Sequence, residues 1–590
     1  MQTKGTGRVK TKVTMRRRTI GAVVVVAAVM AVFMVKLVDV QVVRASALTA
    51  ASASDRSVTE TVSGVRGDIV DSTGVTLARS VLRWNVQISP SVAVKDKTLT
   101  KDADDIGRIT GLGGAKVLSI IHDAVAADPD SQYAKLIDGI DVTMLNKLNA
   151  IDVPWMYFKR VQSRTYPDGA VAGNLIGFVG SGDKAQAGME YKYNSCLAGR
   201  NGTVVYQRGA DNVPIPGTKV TSKKAKDGGE LVLTIDSDLQ WFAQQKLAEA
   251  VKDLGGTYGI VTVMNAKTGQ LKAVAEYPSV DPNDVGATPA KYRGSQAFQA
   301  PFEPGSTFKP ITAAALIDLG LATPESRVLA PYHFTSGHGA SLYDAFYHKP
   351  WRLTLTGVLM MSSNTGISTL GQKLHLSDKD HYDYMKKFGI GTPTAVGFPA
   401  ESGGILHPYK SWDDQTRYAT MFGQGVSATA IQLASVYQTL GNGGVRLPVK
   451  LVEGCRLPDG KMIDVPSNKG VRVVKKSTAK QVVQMLESVV TGGELSKQLT
   501  IPGYRVAAKT GTAQQSNGDG GYKSTYLVSV TGLAPAGDTQ YVVSVNIANP
   551  VKITTSAAAA PLFKTIMSQV LKTYRVKPST TPSPNLPAYY

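Results

Sequence analysis

The chain has 590 residues, is 43% hydrophobic and carries a formal net charge of +20, which describes a large folded protein with material for two or more hydrophobic cores. Its two cysteines, Cys196 and Cys455, stand far apart in sequence. They make no metal cluster and are expected as reduced or buried thiols rather than a bridge.

The charge is partly concentrated at the start. Residues 1–18 hold seven Lys or Arg and no acidic residue. Thr19–Val35 then runs for 17 residues without a charge, about 25 Å as a helix, and Leu37, Val38, Val40, Val42 and Val43 extend it past Lys36, whose amine can snorkel to the interface. We read 1–18 as a basic cytoplasmic tail and 19–43 as a transmembrane anchor, with the rest of the chain outside the cell. Ala45-Ser-Ala47 resembles a signal-peptidase site, but the apolar run is longer than a typical signal core, and Lys36, Asp39 and Arg44 intervene. An uncleaved anchor is the better reading. Export sets aside nucleic acid as a partner and puts the remaining positive charge in an anionic wall environment.

After the anchor, residues 44–226 are mixed, with a strand expected at Arg83–Ile88, a helix at Ala115–Ala126 and strands and turns over Asn201–Val220. From 227 to 576 an α+β domain is expected. It opens with a strand at Glu230–Ile235, an amphipathic helix at Leu239–Leu254 and a hairpin, Gly259–Met264 with Gln270–Glu276. It closes with strands at Arg505–Lys509, Tyr526–Gly532 and Tyr541–Ala548 and a helix at Ala559–Tyr574, so one antiparallel sheet is assembled from both ends of the domain. The tail 577–590, rich in Pro, Ser and Thr, reads as unstructured.

Within that domain three short motifs follow one another: Ser306-Thr-Phe-Lys309, Ser362-Ser-Asn364 and Lys509-Thr-Gly511. Each alone is weak. Ser-x-x-Lys recurs at Ser181–Lys184 and Ser477–Lys480, Lys-Thr-Gly at Lys267–Gly269, and Ser-x-Asn at Ser544–Asn546. Only the first combination has the order and setting that a serine acyltransferase with a lysine base requires. Glu303-Pro304-Gly305 is a turn, and a helix is expected from Thr307 to Leu321, so Ser306 sits where free N–H groups favour negative charge. Lys309, one turn on, can reach the serine hydroxyl. To act as its base it must lose its own proton, through burial or a nearby cation such as Lys509. The seven histidines fall in no hydrolase or metallopeptidase motif, and neither a metal nor a cofactor is expected.

On this layout the ordered motifs resemble those of the penicillin-binding protein and serine β-lactamase superfamily. Arg66-Gly-Asp-Ile-Val-Asp71, Arg164-x-Tyr166-Pro167, Gly188-x-Glu190 and Phe422-Gly-Gln-Gly425 are similar to class B penicillin-binding proteins, in particular the FtsI-type septal peptidoglycan D,D-transpeptidases of actinobacteria. The resemblance implies a non-catalytic pedestal of the dimerisation type over 44–226. It implies catalytic roles for Ser306, Lys309, Ser362, Asn364 and Lys509, an oxyanion hole from the Ser306 and Thr512 backbone N–H groups, and substrate binding by Ser363, Thr510, Gly511 and Thr512. Gly511, lacking a side chain, would let the substrate lie along the strand edge. Two plainer readings stand beside these: Ser363 as a helix-end hydroxyl, and Gly511 as a close-packing residue.

The implied ligands are stem pentapeptides of peptidoglycan and β-lactam antibiotics. The implied partners are an FtsW-type glycosyltransferase and other division proteins of the membrane. An elongation-specific class B enzyme shares most of these motifs. A β-lactamase or β-lactam sensor fits less well, because the chain has an anchor and a pedestal and no assignable water-activating base. A purely structural division scaffold leaves the intact triple unexplained.

Overall fold

The computed structural model describes residues 10–180, 182–209, 215–516 and 521–590. Two compact units emerge, one formed by the N-terminal residues up to Gly64 with Gly199–Lys226, the other by Val65–Ala198 with Asp227–Tyr590. In the first, a helix runs over Lys10–Val38, continues through a π-helical stretch at Asp39–Val43, and is followed by a second helix, Ala45–Arg56. Val25, Phe33 and Val35 stand exposed along it, and Met15–Val43 is long and apolar enough to cross a bilayer. Lys36 and Arg44 both pair with Asp39, so the charges that interrupt the apolar run satisfy one another. Strands Ser57–Val62, Gly202–Gln207 and Val220–Lys223 form a three-stranded sheet in that order.

The second unit is built around a five-stranded antiparallel sheet. In chain order its elements are helix α1 (Ser237–Leu254), strands β1 (Tyr258–Asn265) and β2 (Leu271–Tyr277), and helices α2 (Lys309–Asp318), α3 (Leu355–Met360), α4 (Asn364–Lys373), α5 (Ala430–Gly441) and α6 (Lys476–Gly492). Strands β3 (Ala507–Ser516), β4 (Tyr522–Ala534) and β5 (Tyr541–Ala548) and helix α7 (Ala560–Thr573) follow. The strand order is β2-β1-β5-β4-β3, so both ends of the domain meet in one sheet and β3 lies at its edge. The sheet is covered on both faces. Leu247, Val251, Phe563 and Ile566 pack with Val261, Val530 and Val545 on one side, while Ile260, Val274 and Val542 join the helices of the larger core on the other. Every residue of β5 is therefore buried, as for a strand sandwiched between two helical layers.

A second sheet joins residues on both sides of position 226. Glu230–Leu233 runs parallel to Ile69–Val70 and antiparallel to Val452–Arg456, and Thr76–Ile88 continues the sheet, pairing with Met156–Thr165. The motif residues of this region converge on one buried ion cluster. Arg66 donates to Glu190 at 2.7 Å, Arg164 donates to the other oxygen of Glu190 at 2.6 Å, and the Arg164 guanidinium also donates to the Gly67 carbonyl at 2.8 Å. A carboxylate this deeply buried needs both cations.

Two expectations are corrected here. Cys196 and Cys455 are joined as a disulfide, with their Cα atoms 6.3 Å apart. Sequence separation concealed this, because the second sheet brings position 455 opposite 231, next to the turn that holds Cys196. The tail is also ordered rather than unstructured. Ser579 N–H donates to the Gly503 carbonyl at 2.9 Å, Thr354 N–H donates to the Ala588 carbonyl at 3.0 Å, and the Tyr590 ring lies against Arg352 and Arg327. Its prolines hold an extended backbone that loses little entropy on docking, and Gly357 leaves room for the Ala588 carbonyl, which any Cβ there would meet at 1.9 Å.

Candidate active site

Ser306 lies in a 3₁₀ turn, Gly305–Phe308, rather than in the α-helix expected from Thr307; regular α-helix begins at Lys309. Gly305 takes φ +56°, a conformation that favours glycine. The turn is clamped from behind by the Tyr437 hydroxyl, which donates to the Thr307 carbonyl at 2.9 Å, and by Gly423, where a Cβ would strike the Gly305 carbonyl oxygen at 2.3 Å. The tight turn leaves Ser306 half-exposed while Lys309 is fully buried.

The Lys309 amine has three oxygen neighbours: Ser306 Oγ at 2.7 Å, the Ser362 carbonyl at 2.8 Å and Asn364 Oδ1 at 2.7 Å. The Phe422 ring closes a further side, its centroid 5.7 Å away. Burial pulls the Lys309 pKa down to about 7, against the opposing pull of the Asp344 carboxylate. Lys509, projecting from β3, is also fully buried and donates to Ser362 Oγ at 2.8 Å. Burial, and after it the Lys309 charge, hold its pKa well below the usual lysine range. The hydrogen bonds thus run from Ser306 through Lys309 to the 362–364 turn and on to Lys509.

Ser362 reaches both lysines because its backbone is left-handed, φ +58°, a costly conformation for a residue with a Cβ that packing must enforce. Asp344 enforces it. One of its oxygens accepts from the backbone N–H groups of Asn364 and Thr365, the other from the hydroxyls of Ser363 and Thr365 and from His348. No motif flagged Asp344, which comes 18 positions before the turn it holds.

Ser363, read from the resemblance as a substrate ligand, is placed elsewhere. It is 1% exposed, donates to Asp344 at 2.7 Å and accepts from Gly366 N–H at 2.8 Å, so it caps α4. The helix-end reading is the one that fits. The space beside Gly511 is likewise filled by protein: a Cβ there would lie 2.5 Å from Ser529 Oγ and 3.0 Å from Thr307. Gly511 therefore lets the Ser306 turn pack onto β3. Thr510 is half-buried beside Lys509, and Thr512 is exposed on the same edge strand, its hydroxyl accepting from Ser556 N–H at 3.2 Å.

The other copies of the motifs are structural. Lys267–Gly269 is the β1–β2 turn, with Lys267 paired to Asp538 at 2.9 Å. Ser477 and Lys480 lie on the outer face of α6, and Ser544 and Asn546 point into the sheet core, where Thr531 and Ser544 share a hydrogen bond. Ser181 lies outside the described residues.

A serine in a tight 3₁₀ turn, a buried lysine against its hydroxyl and a second lysine on an edge strand together meet the chemical requirements of serine acyl transfer. The penicillin-binding protein transpeptidase domain matches residues 259–568, and the penicillin-binding protein dimerisation domain matches 61–233. The chain belongs to the class B penicillin-binding proteins. It is 33% identical to penicillin-binding protein PbpB of Mycobacterium tuberculosis over 97% of this chain and 87% of the relative. It is 30% identical to the peptidoglycan D,D-transpeptidase FtsI of Escherichia coli over 88% and 85%. Among solved structures, penicillin-binding protein 3 of Mycobacterium tuberculosis in complex with ampicillin superposes with a TM-score of 0.70 at 29% identity, covering 90% of this penicillin-binding protein and all of that chain. A peptidoglycan synthetase of Bifidobacterium adolescentis gives 0.72 at 27% identity, covering 91% and 100%.

Proposed function

We propose that this penicillin-binding protein is a peptidoglycan D,D-transpeptidase that crosslinks stem peptides through a Ser306 acyl-enzyme, in septal wall synthesis. The observation that carries the reading is the Lys309 amine, 2.7 Å from Ser306 Oγ, fully buried and poised near neutrality. Neutral Lys309 takes the Ser306 proton as the oxygen attacks the carbonyl of the penultimate D-Ala. The Ser306 and Thr512 N–H groups receive the developing oxyanion, a contribution of roughly 3–4 kcal/mol for each donor. Ser362, bonded to Lys509 and placed beside Lys309, relays a proton to the departing D-Ala amine. The terminal carboxylate rests by Lys509, Thr510 and Thr512 on the open edge of β3, where a peptide can add alongside the strand. An amine of a second stem peptide then attacks the acyl-enzyme, and Ser306 leaves. A β-lactam, which mimics D-Ala-D-Ala, acylates Ser306 and stays.

Residues 44–226 serve as the pedestal and 227–576 as the transpeptidase domain. The basic N-terminus lies in the cytoplasm and the catalytic domain outside. An FtsW-type glycosyltransferase engages the anchor and pedestal. The full-length protein in detergent should form a covalent adduct with a fluorescent penicillin, and Ser306→Ala should form none. Equal labelling of the variant would sink the nucleophile assignment. Depletion should give filaments; rounded cells would move the enzyme from the septum to elongation.

A further inference from the structure

A cleft of about 1230 Å³ opens in the second unit between α6, the 535–540 turn that joins β4 to β5, and the segment 574–581. None of the residues proposed for catalysis lines it. Its carboxylates are already committed: Glu487 is held by Arg505 through two bonds of 2.7 Å, and Asp538 pairs with Lys267. Among the described residues the remaining cations have no such partner: Lys476, Lys480, Arg575 and Lys577 line the cleft exposed, with no ion pair or side-chain hydrogen bond to any described residue, and Arg472 donates to two backbone carbonyls. The N-terminus of α6 is itself satisfied by Asp318, which accepts from Lys475 N–H at 2.7 Å and from the Thr478 hydroxyl at 2.8 Å, so the positive charge of the cleft comes from its side chains.

We propose that this cleft binds a flexible polyanion, a chain bearing an anionic group roughly every 6 Å. The volume exceeds that of a usual small-molecule site, about 300–1,000 Å³, and a single phosphate would leave most of the cations unpaired. Lys476 and Lys480 are one helical turn apart, about 6 Å along the axis, so consecutive anionic groups can meet consecutive amines. Amines, unlike guanidinium forks, bind such groups as point charges without fixed geometry, which suits a mobile polymer. The stacked pair of buried Tyr541 and half-buried Tyr574, with ring centroids 4.8 Å apart, and the docked segment 577–581 hold the walls in place. Phosphodiester and polycarboxylate chains share this chemistry.

The test uses the full-length protein in a neutral detergent, titrated with a fluorescently labelled poly(glycerol phosphate) oligomer and, separately, poly-L-glutamate of equal charge. At least one should bind, with an affinity that falls steeply with added salt as counterions are displaced. Lys476→Glu with Lys480→Glu should weaken it tenfold or more and flatten the salt dependence. The same double reversal at the exposed Lys97 and Lys116 should change it less than twofold. Penicillin labelling should be unchanged in both variants, which checks that they fold. The arm that binds identifies the source of the anion. Equal losses in the two double variants, or binding by neither probe, would overturn the proposal.

Discussion

Lys309 shows how burial lowers the proton affinity of a lysine far enough for the base role we propose. Nothing in its spelling distinguishes it from Lys480, also the last residue of a Ser-x-x-Lys. Lys480 is exposed on α6, while Lys309 has lost its water to Phe422, α2 and the 362–364 turn. Because the reactive form is the neutral amine and the pKa lies at about 7, acylation of Ser306 by penicillin should rise about tenfold per pH unit below that value and level off above it. Asp344 opposes this shift by favouring the protonated amine. Asp344→Asn should therefore move the midpoint of the profile to lower pH, while the loss of its charged acceptor role costs roughly 1–3 kcal/mol of stability. A rate independent of pH between 5.5 and 8, or a midpoint that rises in the variant, would contradict the assignment of Lys309 as base.

Between elements, the deciding contact is that of the Ser306 turn with β3. The turn can approach the strand because position 511 has no side chain, and Gly305 and Gly423 let the chain double back behind it. Gly511→Ala should push the turn off the strand by a few tenths of an ångström at Thr307 and more at Ser529. Acylation should then fall by about 100-fold, as expected for misplacing a reacting group, with only a modest loss of thermal stability. Stopped-flow labelling beside a melting curve separates the two effects, and labelling at the native rate would show that the contact is dispensable. The strands and helices around it were legible in the sequence, because β5 carries an apolar run and α1 an amphipathic helical periodicity. The 3₁₀ turn at Ser306 and the docked tail were not, since each depends on a neighbour: Gly423 and Tyr437 for the turn, and Gly357 with the edge of strand Trp351–Thr354 for the tail.

For the molecule as a whole, the disulfide and the Arg66–Glu190–Arg164 cluster tie distant stretches of chain into the second unit. Cys196 and Cys455 close a loop of more than 250 residues, so replacing both by Ser should cost about 2–5 kcal/mol. The melting temperature of the double variant should match that of the native protein after full reduction with dithiothreitol. Penicillin labelling at low temperature should persist in both, since neither sulfur touches the catalytic turn. An unchanged melting temperature would mean that the second sheet holds these stretches together unaided.

The sequence by itself determined the apolar N-terminal helix, the α+β class, the order of the elements and the proposed catalytic set Ser306, Lys309, Ser362, Asn364 and Lys509, because apolar periodicity and ordered motifs are local properties of a chain. Tertiary structure alone decided which lysine is buried against a serine hydroxyl, that Ser362 is twisted to reach two amines, that Ser363 caps a helix while Gly511 serves packing, and that Asp344 holds the turn. It also decided the pairing of the cysteines, the docking of the tail and the unpaired cations gathered beside α6. Those outcomes depend on burial and on partners far away in the chain, and neither quantity is written in the spelling of a motif.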